Sequence, residues 1–128
     1  MKIVSFTDLD AWKQSHQLVI TIYQATQNFP GTEMFGLVSQ MRRSAVSVTS
    51  NLAEGFSRYS FKEKVQFYRT SLGSLTELEN QLLVAKDVGF LDQASYLEIR
   101  KRTTNAHKLI NGLIRSSRLR VSGSANKS

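Results

Sequence analysis

The residues from Phe35 to Arg58, FGLVSQMRRSAVSVTSNLAEGFSR, constrain this chain more than any other stretch. Leu37, Met41, Ala45, Val48 and Leu52 recur at steps of three and four, which lays an apolar stripe along one side of a helix. Gln40, Ser44, Ser47, Asn51 and Glu54 keep the same phase one residue earlier, about 100° round the helix, with Arg42 and Arg43 flanking. An ordinary surface helix carries charge opposite its core face. Here small hydroxyl and amide side chains lie beside that face, which suits a close contact with another helix.

Charge is equally localised. Residues 1–97 carry nine Lys/Arg and nine Asp/Glu, whereas residues 98–128 carry eight Lys/Arg against Glu98 alone, so the net +7 sits in the last quarter of the chain. Positive charge gathered in one place implies a polyanionic partner. The chain has no Cys, which excludes disulfides, thiolate metal sites and thiol catalysis. Its first segment carries Asp8 and Asp10 and does not read as a signal peptide, and no uninterrupted apolar run approaches the ~20 residues that span a bilayer. A cytoplasmic protein with no membrane partner is expected. A single proline in 128 residues favours an all-α fold.

Four helical segments follow in order. The first is predicted over about Asp8 to Thr26, with Thr7 or Asp8 as its cap. Leu9, Trp12, His16, Val19, Tyr23 and Thr26 form one stripe, and Ala11, Leu18, Ile22, Ala25 and Phe29 a second beside it. Two stripes are more than a lone bundle needs, so this helix is expected to meet another subunit. His16 reads as a hydrogen-bonded packing histidine rather than a metal ligand. Pro30 and Gly31 end the segment, and the second runs to about Glu54–Ser57.

Ser60-Phe61-Lys62-Glu63 matches a capping box, so the third segment begins at about Phe61. Val65, Tyr68, Leu72, Leu75 and Leu82 form its core stripe, widened by Phe67, Leu78 and Ala85. Gly73 and Ser74 are small enough for a neighbour to approach closely. Gly89 reads as the residue after the helix end and Asp92 as the next cap. The fourth segment, about Gln93 to Arg118, places Tyr96, Ile99, Thr103, Ala106, Ile110 and Leu113 on its core stripe.

Two sets of candidate functional residues emerge. Lys101, Lys108 and Arg115 recur every seven residues, and Lys101 lies about 200° round from Ile99, directly away from the core. Arg118 continues that line, with Arg100, Arg102 and Arg120 near it. A solvated face normally mixes charge signs, and this one lacks acids, so the set is read as a phosphate-tracking ridge. The second set, Arg42, Arg43, Asn51, Glu54, Ser74 and Glu77, is read as a polar network that fixes helix register within the bundle or between subunits. Glu77 is its candidate partner for Arg42 or Arg43.

Several chemistries find no residues. Neither histidine follows a glutamate by three, as di-iron bundles require. There is no phosphate-binding glycine loop, H-E-x-x-H or G-x-S-x-G. Arg102 and His107 resemble the Arg-x4-His element of the HEPN helical-bundle ribonucleases, which would imply metal-independent cleavage. Residues five apart on a regular helix diverge by about 140°, so this remains a minor alternative. No catalytic residue, metal or cofactor is expected.

The run FGLVSQMRRSAVSVTSNLAEG, together with FTDLDAWKQSHQLVITIY, GSLTELENQL and VGFLD, resembles the signature of the four-helix-bundle family of 23S rRNA intervening-sequence proteins. That family is related to the accessory protein of diversity-generating retroelements. The resemblance covers roughly residues 6 to 115; Thr49 stands where the family often has Pro, so no proline kink is expected. It implies a homopentameric ring, and a link to rRNA insertions or to a reverse transcriptase as partner.

Segment lengths and short connections imply an antiparallel up-down-up-down four-helix bundle over residues 1–118, with 119–128 a flexible basic Ser/Gly tail. The function expected is that of a non-enzymatic, oligomeric adaptor binding RNA or DNA. A protein-recruiting scaffold is the alternative.

Overall fold

The computed structural model describes residues 2–127, with side chains described as far as Val121. Its helices are α1 (Asp10–Thr26), α2 (Leu37–Phe56), α3 (Phe61–Asp87) and α4 (Gln93–Lys127). Single 3-10 turns occupy Phe6–Asp8 and Gly31–Glu33, and no strand occurs among the described residues. Each of α1 and α3 packs on both α2 and α4, whereas the diagonal pairs α1/α3 and α2/α4 stay apart. The arrangement is all-helical and consistent with a four-helix bundle. None of these helices is long and apolar enough to cross a membrane.

The core is built where helical stripes face one another. Leu18 and Ile22 from α1, Met41, Val48 and Leu52 from α2, Leu75, Leu78 and Leu82 from α3, and Ala106 and Ile110 from α4 are fully enclosed. Each large aliphatic side chain buried in this way contributes roughly 1.5–3 kcal/mol. In α1 the core encloses most of the second apolar stripe, while Trp12 and Val19 of the first pack against it only in part. Ala11, Ser15, Leu18, Ile22 and Thr26 are buried, while Trp12, His16 and Val19 are half-buried and Tyr23 is exposed. His16 stacks on Trp12 with ring centroids 4.6 Å apart. The expected hydrogen bond to that imidazole is not found among the described residues, where the stack on Trp12 is its contact.

Local chemistry sets the helix ends. Before α1 the chain makes a 3-10 turn, in which Asp8 Oδ2 accepts the Val4 and Ser5 N–H groups at 2.9 and 3.0 Å. Ser5 Oγ accepts the Thr7 N–H at 3.3 Å and caps this turn, so neither Thr7 nor Asp8 is the N-cap of α1. Leu9, the N-cap of α1 itself, makes no side-chain bond. The start of α3 follows the expectation, with Ser60 Oγ accepting the Glu63 N–H at 3.1 Å. Gly89 closes α3 at φ 88°, in the left-handed region that favours glycine. The Phe90 N–H then reaches the Ala85 carbonyl at 2.9 Å and the Gly89 N–H the Lys86 carbonyl at 3.1 Å, a Schellman closure. Asp92 caps α4 through the Ser95 N–H at 2.7 Å, and this bond holds its carboxyl below the usual carboxylate range.

Small residues bring α2 and α3 together, as the polar stripe of α2 predicts. Ser47 Oγ lies 2.8 Å from Ser74 Oγ, and Ser71 Oγ donates to the Val48 carbonyl at 2.7 Å. A Cβ added at Gly55 would meet Phe67 and Tyr68 within 2.9 Å. Lys64 Nζ donates to the Phe56 carbonyl at 2.6 Å, and burial there pushes its ammonium below the usual lysine range. Gly73 behaves differently: a Cβ there would touch nothing, so no neighbour within the chain explains it. At the other end, α4 runs on past Arg118 to Lys127. In place of the flexible tail expected over 119–128, α4 continues through residue 127, with side chains described as far as Val121, and residue 128 lies outside the described residues.

Candidate nucleic-acid interface

On α4 the side chains of Tyr96, Ile99, Thr103, Ala106, Ile110 and Ile114 turn inward. The helical period therefore turns Lys101, Arg102, Lys108, Arg115 and Arg118 outward, and all five are exposed. None of them joins an ion pair among the described residues. Lys101 and Lys108 border one shallow groove with Thr104 and Asn105. Arg120 is exposed as well, and its guanidinium rests 5.3 Å above the Phe61 ring.

Arg100 borders the same groove as Lys101 and Lys108 but, unlike those five outward cations, is paired. Its guanidinium is bonded to Glu79 on α3 and also approaches Thr103 Oγ1 at 3.5 Å. His107 Nε2 lies 3.3 Å from the other oxygen of the same carboxylate. The Glu79 side chain is only 20% exposed, so the cluster is partly shielded from water and ties α4 to α3. His107 is thus engaged with α3 while Arg102 is exposed to solvent.

The polar set on α2 and α3 divides into separate contacts. Arg42 Nε donates to Thr26 Oγ1 at 3.0 Å and its guanidinium lies 4.6 Å over the Tyr23 ring, fastening α2 to the end of α1. Asn51 Nδ2 donates to the Ser47 carbonyl at 2.8 Å and to Ser47 Oγ at 3.1 Å, continuing the link to Ser74. Glu54 pairs with Arg58 one turn on, at 2.9 Å. Arg43 and Glu77 are exposed and border one groove with Ser47 and Ser74. No ion pair joins Glu77 to Arg42 or Arg43 among the described residues. No group of three or more His, Asp or Glu there is placed to hold a metal.

Two features escaped the sequence reading. Lys62 and Arg69 of α3 border a groove with Arg118 of α4. Their spacing of seven was visible, but the face of α4 opposite them was not. Met34, Val46 and the 96% exposed Phe35 border an apolar groove with Tyr23 and Arg42. Phe35 follows no helical stripe, because it precedes the first turn of α2.

An all-helical chain with an acid-poor basic helix is the class that these features define. Residues 7–112 match the family model for the 23S rRNA-intervening sequence protein, and the chain belongs to that family. It is also similar to a crystal structure of a protein of unknown function from the S23 ribosomal protein family of Bacteroides thetaiotaomicron. The TM-score is 0.75 at 19% identity, with 82% of this chain and 95% of that chain covered, a likeness of fold. No curated protein matches the chain.

Proposed function

We propose that this protein is a non-enzymatic, cytoplasmic adaptor that binds RNA or DNA as a homo-oligomer. The observation that carries the reading is the solvent face of α4, where Lys101, Arg102, Lys108, Arg115 and Arg118 have no acidic partner among the described residues. Cations placed this way neutralise backbone phosphates and read charge rather than base sequence. Arg100 does structural work through Glu79 instead of contributing a free charge. Membership of a family described by the 23S rRNA intervening sequence supports RNA as the polyanion.

The bundle is read as antiparallel, up-down-up-down. The order of cross-helix partners supports this: Ser47 and Gly55 of α2 meet Ser74 and Tyr68 of α3, and Glu79 and Phe61 of α3 meet Arg100 and Arg120 of α4. The apolar groove at Phe35 and the half-covered Trp12, His16 and Val19 stripe favour assembly into a ring. A pentamer, and a reverse transcriptase as protein partner, follow from the resemblance to the retroelement accessory protein. In a ring the weak contacts of each α4 would add across copies.

Fluorescence anisotropy with a labelled structured RNA and a matched DNA duplex, at two salt concentrations, tests this function. If about six phosphates are neutralised, log K on the duplex falls against log salt with a slope near −5. The Lys101/Lys108/Arg115→Ala variant makes that slope shallower by about 3. Binding that is absent, or unchanged in the variant, moves the assignment to a protein-recruiting scaffold.

A further inference from the structure

Arg100 and Arg118 lie eighteen residues apart on α4, five whole turns, and so occupy the same edge of the helix. That edge faces α3 at both places. At Arg100, α3 supplies the Glu79 carboxylate. At Arg118, the groove is bordered instead by Lys62, Val65, Gln66 and Arg69 of α3, with Val121 of α4. An arginine met by a carboxylate in one place is met by two further cations in the other.

Like charges gathered on one groove repel, and a folded chain normally interleaves acids among them. None is interleaved here. Lys62, Arg69 and Arg118 join no ion pair among the described residues. Glu63 is the acid nearest in sequence, but it sits about 100° round α3 from Lys62 and does not border the groove. The groove has a volume of about 420 Å³, ample for a phosphate and several waters at about 30 Å³ each.

The geometry points to this α3/α4 groove as a second phosphate site, in which Lys62, Arg69 and Arg118 hold the backbone of the same nucleic acid that the outer face of α4 contacts. The inference rests on the nucleic-acid reading given above and extends it to residues outside the basic C-terminal quarter. From Lys101 to Arg115 the seven-residue repeat drifts about 40° round a straight helix, and Arg118 lies about 60° further the same way, at the edge of the groove. From Lys101 to Arg118 the rise is about 26 Å, the length of some seven or eight nucleotides along one DNA strand. One duplex would thus touch both sites, with the groove as its second anchor.

The test is anisotropy titration of a labelled structured RNA and a labelled DNA duplex with wild type, a Lys62/Arg69→Ala variant and a Lys101/Lys108→Ala variant, each across a range of salt. A groove that holds two phosphates through Lys62 and Arg69 gives the first variant weaker binding and a salt slope shallower by about 2. Its thermal midpoint at low salt stays level or rises, since repulsion is relieved; a fall there would make lost binding a folding defect and overturn the assignment. Wild-type affinity and slope in Lys62/Arg69→Ala overturn the groove. If Lys101/Lys108→Ala still loses binding in that case, the α4 interface stands without it. A wild-type protein that binds neither RNA nor DNA overturns both.

Discussion

Gly55 of α2 lies so close to Tyr68 of α3 that a Cβ on the glycine would sit 2.8 Å from the ring carbon Cε1. The two helices can approach this far only because residue 55 has no side chain. Ser71 and Ser74 line the same contact with hydroxyls that bond across it.

Gly55→Ala therefore sets two effects against each other. Alanine gains about 1 kcal/mol in helix propensity, while overpacking against a buried ring costs roughly 1–3 kcal/mol. Phe67 Cβ and the buried Tyr68 ring leave little room to shift, so a net loss of about 1–2 kcal/mol is expected. Urea unfolding reads this directly. A midpoint equal to wild type or higher would show that the contact relaxes freely.

Tyr68 also gives the protein an alkaline limit. Burial pushes its phenol from 10.0 up to about 12. A group whose folded pKa is raised contributes stability below its unfolded pKa and loses that contribution as pH rises through the folded value. The wild-type unfolding free energy should therefore decline between about pH 10 and pH 12, the interval between those two values. Tyr68→Phe should flatten that decline and leave neutral stability within about 1 kcal/mol. Identical alkaline slopes for the two proteins would mean that another group controls the transition.

Phe35 predicts the assembly. Its ring is 96% exposed and beside it Met34 and Tyr23 are 47% and 42% exposed, an apolar surface that a second copy would cover. Phe35→Ser should reduce the particle mass in light scattering. The isolated subunit should keep its helical content, because the ring makes almost no contact within its own chain. An unchanged mass would place the subunit contact elsewhere.

Apolar periodicity together with local capping and turn residues located α2, α3 and the start of α4, including the Ser60 cap, the Gly89 closure and the Asp92 cap. These depend on residues within a few positions of one another, and a helix repeats every 3.6 residues wherever it sits. The small polar stripe of α2 likewise announced a close helix contact. Which of the two apolar stripes of α1 enters the core was decided by tertiary packing, since periodicity fixes an angle round a helix and not what stands opposite. The same limit separates Arg100 from Arg118. Both share one edge of α4, but Glu79 faces the first and Lys62 and Arg69 share a groove with the second. The sequence by itself determined where charge gathers along the chain; only the packing of α3 against α4 decided which cations are neutralised and which stay unpaired among the described residues, because the opposing residues lie tens of positions away.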